Sequence, residues 1–297
     1  MAALVEEAGA VISGSLAPKS REIYNKTYQH YKSFAQSLGY AGILPGNPGL
    51  LILYLSHLFK NGLASSTLLS KVSALSYSFK LHGHQDPSQH FLVQKFLKGA
   101  KSLRPSADVR QPITVNLLKS CNQCLNSHMY SVYKRLLFKC MINLAFFAFL
   151  RPGEITDSIH NLQFNQVIIS EQQLSVTFVS FKHYHGVPVT LLIKAQHGSI
   201  CPVNSVKQFV KVRGTGPGPF FADPLGLPVK YSEFLNLFKD FNIALNNVHL
   251  SPHSLRIGAA TFATMSGYSQ DQVKRMGRWH SDAVLKYVRI PSFQVQF

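Results

Sequence analysis

Acidic residues are scarce in this sequence. Its 297 residues include 13 Asp and Glu but 30 Lys and Arg, which gives a net charge of +17 and a pI of about 9.8. Both halves share the excess: residues 1–150 hold 16 basic and 5 acidic side chains, and residues 151–297 hold 14 and 8. The positive electrostatic potential of such a protein favours a polyanionic partner such as nucleic acid. An incidentally basic protein and an acidic membrane partner are the alternatives.

Long apolar runs are also lacking. Hydrophobic residues make up 46% of the chain, which is enough for a core. No run reaches the roughly 18 apolar residues that a membrane-spanning helix needs. The start, MAALVEEAGAVISG, carries two glutamates and no basic segment, so it does not resemble a secretory signal. We therefore expect no membrane partner and no secretion. The expected location is the nucleus if the source is eukaryotic, and otherwise the cytoplasm or nucleoid.

Cysteine is infrequent as well, with four residues. Cys121 and Cys124 form a C-x-x-C pair, but a zinc site needs two more ligands, and only His128 offers a third. Two thiols at this helical spacing are more often neighbours in a core. We predict no metal site, and reduced thiols of an intracellular protein.

The first hundred residues have the hydrophobic periodicity of helices. After a flexible N-terminus over residues 1–16, four helices are predicted within residues 17–103. The first of them, SREIYNKTYQHYKSFAQSL, places an aromatic face at helical spacing: Tyr24, Tyr28, Tyr31 and Phe34. Residues 104–112 lack this periodicity, are basic and contain proline. They are predicted to link two domains.

The second domain, residues 113–297, is predicted to combine helices with a small sheet. A helical region covers about residues 115–149. QLSVTFVSFKHYHGVPVTLLI consists of two β-rich runs around HYHG, which is the pattern of a hairpin. Helices return from about Tyr231. The predicted fold class is mainly α with a small antiparallel β-sheet.

Two charged positions lie before and within this predicted sheet region. In FLRPGEI, Arg151 follows a long apolar run, where an arginine is costly unless it is paired or binds an anion. Glu154 is its natural partner and a less certain member of a site. Lys182 ends the first hairpin strand, where a mobile lysine can reach a phosphate or donate a proton. The alternative for Arg151 and Glu154 is a purely structural salt bridge. The alternative for Lys182 is a lysine that only makes an exposed turn soluble.

The segment SPHSLRIGAATFATMSG has the pattern of a helix N-terminus. Ser251 can cap the helix and Pro252 suits its first position. His253 and Arg256 then lie one turn apart on the same face. The N-terminus of a helix attracts anions such as phosphate. The guanidinium group of an arginine there can bind two phosphate oxygens at once, which strengthens the site. A surface cap with incidental charges is the alternative.

The segment GRWHSDAVLKYVR lies near the end of the sequence. Before it, Ser269 and Gln272 form a capping box, and Gly277 is predicted to end that helix. Ser281 caps a following short helix that carries Tyr287. The phenol is either a buried packing group or a nucleophile.

Together these residues resemble the tyrosine recombinase family, the lambda-integrase-like site-specific recombinases. The family's pattern is an arginine after a helix, a hairpin lysine, H-x-x-R, a His or Trp, and a tyrosine near the C-terminus. The matching residues, in this order, are Arg151, Lys182, His253, Arg256, Trp279 and Tyr287. The resemblance covers about residues 17–290. The amino-acid sequences of the motifs are most similar to those of recombinases of DIRS and Crypton mobile elements. Many members place the His or Trp nine positions before the tyrosine. Here Trp279 is eight before and His280 seven before, so His280 is an alternative to Trp279.

The resemblance implies a SAM-like helical core-binding domain over residues 17–103 and an α+β catalytic domain over residues 113–297. Tyr287 would attack a phosphate of double-stranded DNA and form a 3′-phosphotyrosine, in site-specific recombination, transposition or integration. The other implied roles are charge stabilisation for Arg151 and Arg256, leaving-group protonation for Lys182, tyrosine activation for His253 and support for Trp279. No metal or other cofactor is implied. A homotetramer would act on two duplexes.

Further basic residues are predicted to contact DNA: Lys71, Lys80, Arg104, Arg110, Lys274 and Arg278. Two alternatives share the sequence features. A type IB topoisomerase would relax DNA without exchanging partners, and a domesticated DNA-binding protein would no longer cut. The complete set of six residues speaks against the second alternative.

Overall fold

The computed structural model describes residues 1–105, 110–126, 130–181, 186–246 and 248–289. Lys182 and His128, to which the sequence assigned possible roles, lie outside these residues. The chain divides into two compact units, Met1–Asp108 and Val109–Phe297. The division falls within the predicted linker, 104–112.

The first unit is a bundle of helices around one apolar core. Its helices are α1 Ala2–Gly14, α2 Pro18–Ser37, α3 Pro48–Lys60, α4 Ser65–Leu81 and α5 Phe91–Leu103. The four helices predicted within residues 17–103 correspond to α2 to α5. On the aromatic face of α2, Tyr31 is fully buried, and it packs edge-on against Tyr54 of α3 and Phe79 of α4. The apolar period of the sequence therefore marks the side of α2 that faces this core.

The segment predicted as a flexible N-terminus is helical. Helix α1 covers nearly all of residues 1–16, and none of its residues is buried. Alanine and glutamate are strong helix formers, and no proline interrupts the stretch, so local propensity supports a helix without a packed face.

The second unit contains more helices and the sheet. Its helices are α6 Val115–Cys124, α7 Val132–Phe147, α8 Pro152–Ile155, α9 Pro202–Arg213, α10 Tyr231–Ala244, α11 Pro252–Met265 and α12 Gln270–Gly277. The helical region predicted over residues 115–149 is thus two helices. Ser131 starts the second of them, because its hydroxyl accepts a hydrogen bond from the Lys134 amide at 3.3 Å.

The sheet has three antiparallel strands in the order β1 Val167–Ile169, β2 Gln173–Phe178 and β3 Val189–Lys194. The predicted hairpin corresponds to β2 and β3, with Val176 opposite Leu191. Alternate residues of β2 are buried, as a strand with one covered face requires. Strand β1 was not predicted, since three residues are too few to show a period of two. The fold class is confirmed: mainly α with a small antiparallel sheet.

Helix α7 runs through the core of the second unit, and its residues from Leu137 to Phe146 are almost all buried. It ends at Phe147, and two residues later Phe149 adopts a left-handed conformation with φ of 53°. Arg151 follows Phe149 by two residues and is the N-cap of α8. Among the described residues, no helix is both long and apolar enough to cross a membrane.

Candidate active site

Arg151 and Glu154 form the ion pair that the sequence suggested. Arg151 is the residue before the one-turn helix α8, and its Nη1 lies 3.0 Å from Glu154 Oε1. The backbone amide of Arg151 donates to the other carboxylate oxygen at 2.9 Å. The Glu154 side chain is almost completely buried, whereas 19% of the Arg151 side chain is exposed. Glu154 therefore holds Arg151 at the edge of the core with part of its guanidinium group accessible.

Arg278 binds the same carboxylate from the other side. Its Nη2 lies 2.6 Å from Glu154 Oε2, and both side chains are buried. Burial alone would raise the pKa of Glu154, but the guanidinium groups of Arg278, Arg151 and Arg256 outweigh burial and lower the pKa. Glu154 is therefore ionised at neutral pH.

Arg256 is fully buried near the start of α11, one turn after His253. Its Nη1 donates to the carbonyl of Phe149 and its Nη2 to the carbonyl of Gly277. Its Nε is buried without a hydrogen-bond partner among the described residues. Burial and the guanidinium groups of Arg151 and Arg278 lower the pKa of Arg256. A nearby anion would relieve this repulsion, because three guanidinium groups surround one carboxylate.

The local sequence explains how α11 places these groups. Ser251 and Pro252 stand at its N-terminus as predicted, and the Ser251 amide donates to Ser254 Oγ at 3.0 Å. His253 and Arg256 follow one turn apart. The helix can also lie close to its neighbours, since a Cβ at Gly258 would overlap the backbone of Ile113.

Tyr287 directly follows a 3₁₀ helix, Asp282–Lys286. Its ring centre lies 5.0 Å from that of His253 and 4.9 Å from that of Trp279. The Arg256 guanidinium carbon is 5.7 Å from the Tyr287 ring centre. Thr261 of α11 donates to the Tyr287 carbonyl at 3.3 Å, which ties this segment to α11. The structure thus brings together four of the six residues identified by the family resemblance. Arg151 is linked to them through the backbone, since its Nη2 donates at 2.8 Å to the carbonyl of Arg278, the residue before Trp279.

Trp279 is the member of the Trp279–His280 pair that faces this cluster. Its ring centre lies 4.1 Å from the Arg256 guanidinium carbon, so it covers the buried arginine. His280 is exposed, and its ring stacks on Phe181 at 6.4 Å. Because Trp279 and Tyr287 cover Arg256, a phosphate can bind its guanidinium group only if these rings move aside.

Gly277 ends α12 as predicted, but it does not adopt the left-handed conformation that often favours glycine at a helix end. It is the last residue of α12, and the left-handed residue that ends the helix is Arg278, with φ of 54°. A Cβ at Gly277 would overlap the ring of Trp279. Glycine is therefore required here because a side chain would collide with the Trp279 indole, and not because of the backbone conformation. Arg278 occupies the position nine residues before Tyr287 but turns into the core, so the following Trp279 faces the tyrosine.

The basic residues predicted to contact DNA differ in position. Arg278 is buried against Glu154, so its assignment to a DNA-binding surface is corrected. Lys274 pairs with Asp282 at 2.8 Å and thereby joins α12 to the 3₁₀ helix. The others are at the surface of their units: Lys71 is half-buried, Lys80 lies 3.2 Å from Asp86, Arg104 stacks on Phe59 at 4.0 Å, and Arg110 is exposed.

Cys121 and Cys124 are free thiols in α6. Burial raises the pKa of Cys121 to about 12, which disfavours the thiolate that a metal would need. Within the described parts of the chain, no group of three His, Cys, Asp or Glu is suitably placed for a metal ion.

No protein-family model matches the chain, and no curated protein matches it in sequence. Solved structures do match. The Tn1549 transposon integrase in complex with circular intermediate DNA has a TM-score of 0.64 at 14% identity, covering 94% of this chain and 92% of that one. A lambda integrase dimer bound to a COC′ core site has a TM-score of 0.63 at 14% identity, covering 100% and 98%. XerH site-specific recombinase bound to a palindromic difH substrate has a TM-score of 0.60 at 13% identity, covering 89% and 73%. The chain therefore has the fold of tyrosine recombinases.

Alanine substitutions should separate Trp279 from His280. The family resemblance implies DNA cleavage. Trp279→Ala, which removes the ring over Arg256, is then expected to slow that cleavage on the order of tenfold, as the loss of a desolvated cation–π contact predicts. His280→Ala changes an exposed side chain and should alter the rate by less than about twofold. Single-turnover cleavage of a DNA duplex measures both. A larger loss in His280→Ala would show that His280 fills this role.

Proposed function

We propose that this protein cleaves and rejoins DNA strands through a covalent 3′-phosphotyrosine at Tyr287, in site-specific recombination, integration or transposition. One observation carries the proposal: Tyr287, His253 and Trp279 lie around the buried Arg256. A packing tyrosine needs no surplus of guanidinium groups. A nucleophile that attacks a phosphate needs positive charge at this position.

The proposed chemistry follows from this arrangement. The Tyr287 oxygen attacks phosphorus, the bond to the 5′ oxygen breaks, and the 5′ oxygen leaves as a hydroxyl after it takes a proton. Lys182 is proposed to supply that proton. Arg151 and Arg256 neutralise the charge that develops on the non-bridging oxygens. His253, against the Tyr287 ring, orients the phosphate and assists loss of the phenol proton.

The reverse reaction explains rejoining without an energy source. A 5′-hydroxyl from the same or another strand attacks the phosphotyrosine, restores the phosphodiester and releases the phenol. If the attacking 5′-hydroxyl belongs to the same strand, the DNA is relaxed, as by a type IB topoisomerase. If it belongs to another strand, the DNA is recombined. Joints between two duplexes, as opposed to relaxation alone, support the recombinase. A protein that binds DNA and forms no adduct would be the domesticated alternative.

The proposal extends to partners and setting. The partner is double-stranded DNA, and a homotetramer on two duplexes provides the strands to be exchanged. The amino-acid sequences around Arg151, His253 and Tyr287 support an origin in a DIRS or Crypton mobile element. For such an element in a eukaryote, the place of action is the nucleus.

Capture of the covalent adduct tests the proposal. The probe is a pool of duplexes with a randomised core, incubated with the protein and then denatured in detergent. Adducts are isolated with the protein, digested with protease, amplified and sequenced. Enrichment of one sequence, with the protein attached to the 3′ end of the broken strand, is the expected result. No adduct after repeated selection would contradict the function.

Binding to the selected duplex should depend steeply on salt. With about 6 to 10 phosphate contacts, affinity is expected to fall about a thousandfold or more between about 50 and 200 mM salt. Kd measured by anisotropy across this range gives the slope. Arg110→Gln should reduce the slope by about one if Arg110 contacts a phosphate. A flat dependence would contradict binding through the basic surfaces.

A further inference from the structure

A third arginine, Arg278, is buried beside the two that would hold the phosphate. Only 1% of the Arg278 side chain is exposed, and its Nη2 is 2.6 Å from Glu154 Oε2. Its guanidinium carbon lies 3.6 Å from the centre of the Phe178 ring, and its Nη groups donate at 3.4 Å to the carbonyls of Ala148 and Phe149. Arg256 is covered by the rings of Trp279 and Tyr287, whereas Arg278 is enclosed by Glu154, Phe178 and the backbone, so Arg278 does not touch a substrate. Any effect of Arg278 on the reaction must act through other residues.

The backbone at Arg278 provides that connection. The Arg278 carbonyl accepts a hydrogen bond from Arg151 Nη2 at 2.8 Å. The preceding carbonyl, that of Gly277, accepts from Arg256 Nη2. Two successive peptide groups therefore hold one nitrogen each of Arg151 and Arg256. A change in the orientation of either peptide would redirect the N–H groups that remain for a phosphate.

This turn has a conformation that its side chain does not favour. Arg278 has φ of 54° and ψ of 47°, a left-handed conformation that residues with a Cβ adopt rarely. Interactions of the side chain must hold it there, and they include the Glu154 ion pair, the Phe178 stack and the hydrogen bonds to two carbonyls. Phe149, whose carbonyl also receives Arg256, is left-handed as well. Two unfavourable turns thus direct their carbonyls at the candidate catalytic arginines.

Glu154 completes the connection, because it binds Arg151 directly and Arg278 directly. We propose that Arg278 is a positioning residue for strand cleavage. Its buried ion pair with Glu154 fixes the turn at residues 277–279, whose carbonyls orient Arg151 and Arg256 and whose third residue, Trp279, covers Arg256. The inference rests on the proposed function, since it concerns the rate of that reaction.

Arg278→Lys tests this inference. Lysine keeps a positive charge beside Glu154 but lacks the planar fork that also contacts the carbonyls and stacks on Phe178. Single-turnover cleavage of the selected duplex is measured as a rate constant and an amplitude. The rate constant is expected to fall about tenfold with Kd for DNA unchanged, since a misplacement of about 1 Å can cost about a hundredfold. Arg278→Met, which also removes the charge, should be slower still.

The amplitude separates positioning from folding, because it counts only active molecules. Arg213→Lys is the matched control. Arg213 also donates to backbone carbonyls, those of Pro219 and Phe220, and stacks on Phe164 at 4.6 Å, but it does not contact the site residues. This control should have a lower Tm and amplitude with a wild-type rate constant. If Arg278→Met does not fold, the rate constant of the soluble Arg278→Lys decides.

A substrate change gives a second measurement that a purely structural role would not affect. A duplex with a neutral methylphosphonate at the cleavage point has less charge for the arginines to neutralise, so the deficit of Arg278→Lys should shrink on it. A wild-type rate constant in Arg278→Lys, or a loss confined to amplitude, would overturn the inference while leaving the proposed function intact. Absence of any wild-type adduct would instead overturn the proposed function, and this inference with it.

Discussion

Tyr287→Phe is expected to abolish the covalent adduct with DNA completely. The substitution removes one oxygen and keeps the ring that packs between His253 and Trp279. If Tyr287 only packs, the variant loses at most about 1 kcal/mol for a lost hydrogen bond and keeps any activity. If the phenol is the nucleophile, the variant folds and binds DNA normally and cannot form the phosphotyrosine.

The assay uses the selected duplex nicked just beyond the cleavage point, so that the short leaving strand diffuses away and the adduct accumulates. Wild-type protein should give a band that survives boiling in detergent and disappears after protease digestion. The attached peptide should come from residues 279–289. Chelator should not remove the band, since no metal takes part in the proposed reaction.

Tyr268→Phe is the matched control for this substitution. Tyr268 follows α11 and is 45% exposed, so it is the more accessible phenol of the two in the free protein. Its loss should leave the adduct intact. An adduct that persists in Tyr287→Phe, or a peptide map that contains Tyr268, would overturn the assignment of the nucleophile.

The elements that the sequence predicted well depend on local patterns. Helix α3 starts at Pro48, because proline suits the first helical turn and Asn47 caps the helix. The capping box of α12 is present, with Ser269 and Gln272 exchanging side-chain and backbone hydrogen bonds. These signals involve residues at most four positions apart. They need no knowledge of the tertiary structure.

The features that the sequence did not predict arise from distant residues. Arg278 seemed to be a surface cation because it lies in a basic stretch near a helix end. Its pairing with Glu154, 124 residues away, depends on how α7, α8 and α12 pack. The burial of Arg256 has the same origin, since Phe149 and Gly277 supply its acceptors. One signal was available: Arg278, and not Trp279, stands nine residues before Tyr287.

Arg256→Lys should slow cleavage about a hundredfold or more, the loss typical of one donor that stabilises an oxyanion. Lysine keeps the charge, but its single ammonium group cannot replace a fork that donates from Nη1 to Phe149 and from Nη2 to Gly277. One buried carbonyl left without a donor costs about 1–3 kcal/mol, so the variant should also be less stable. DNA affinity should change little, because the basic surfaces provide most contacts with phosphates.

Two measurements distinguish this expectation from an ordinary phosphate contact. Kd for the selected duplex and the single-turnover rate constant are compared for wild type and Arg256→Lys, with Arg213→Lys as the control for lost carbonyl binding elsewhere. A deficit in the rate constant at unchanged Kd indicates that Arg256 acts on the transition state, since only interactions stronger there accelerate the chemical step. Equal losses in binding and cleavage would mean that Arg256 binds substrate and transition state alike. The surplus of positive charge around Glu154 would then serve DNA binding, and the charge stabilisation required by the Tyr287 attack would have to come from other residues.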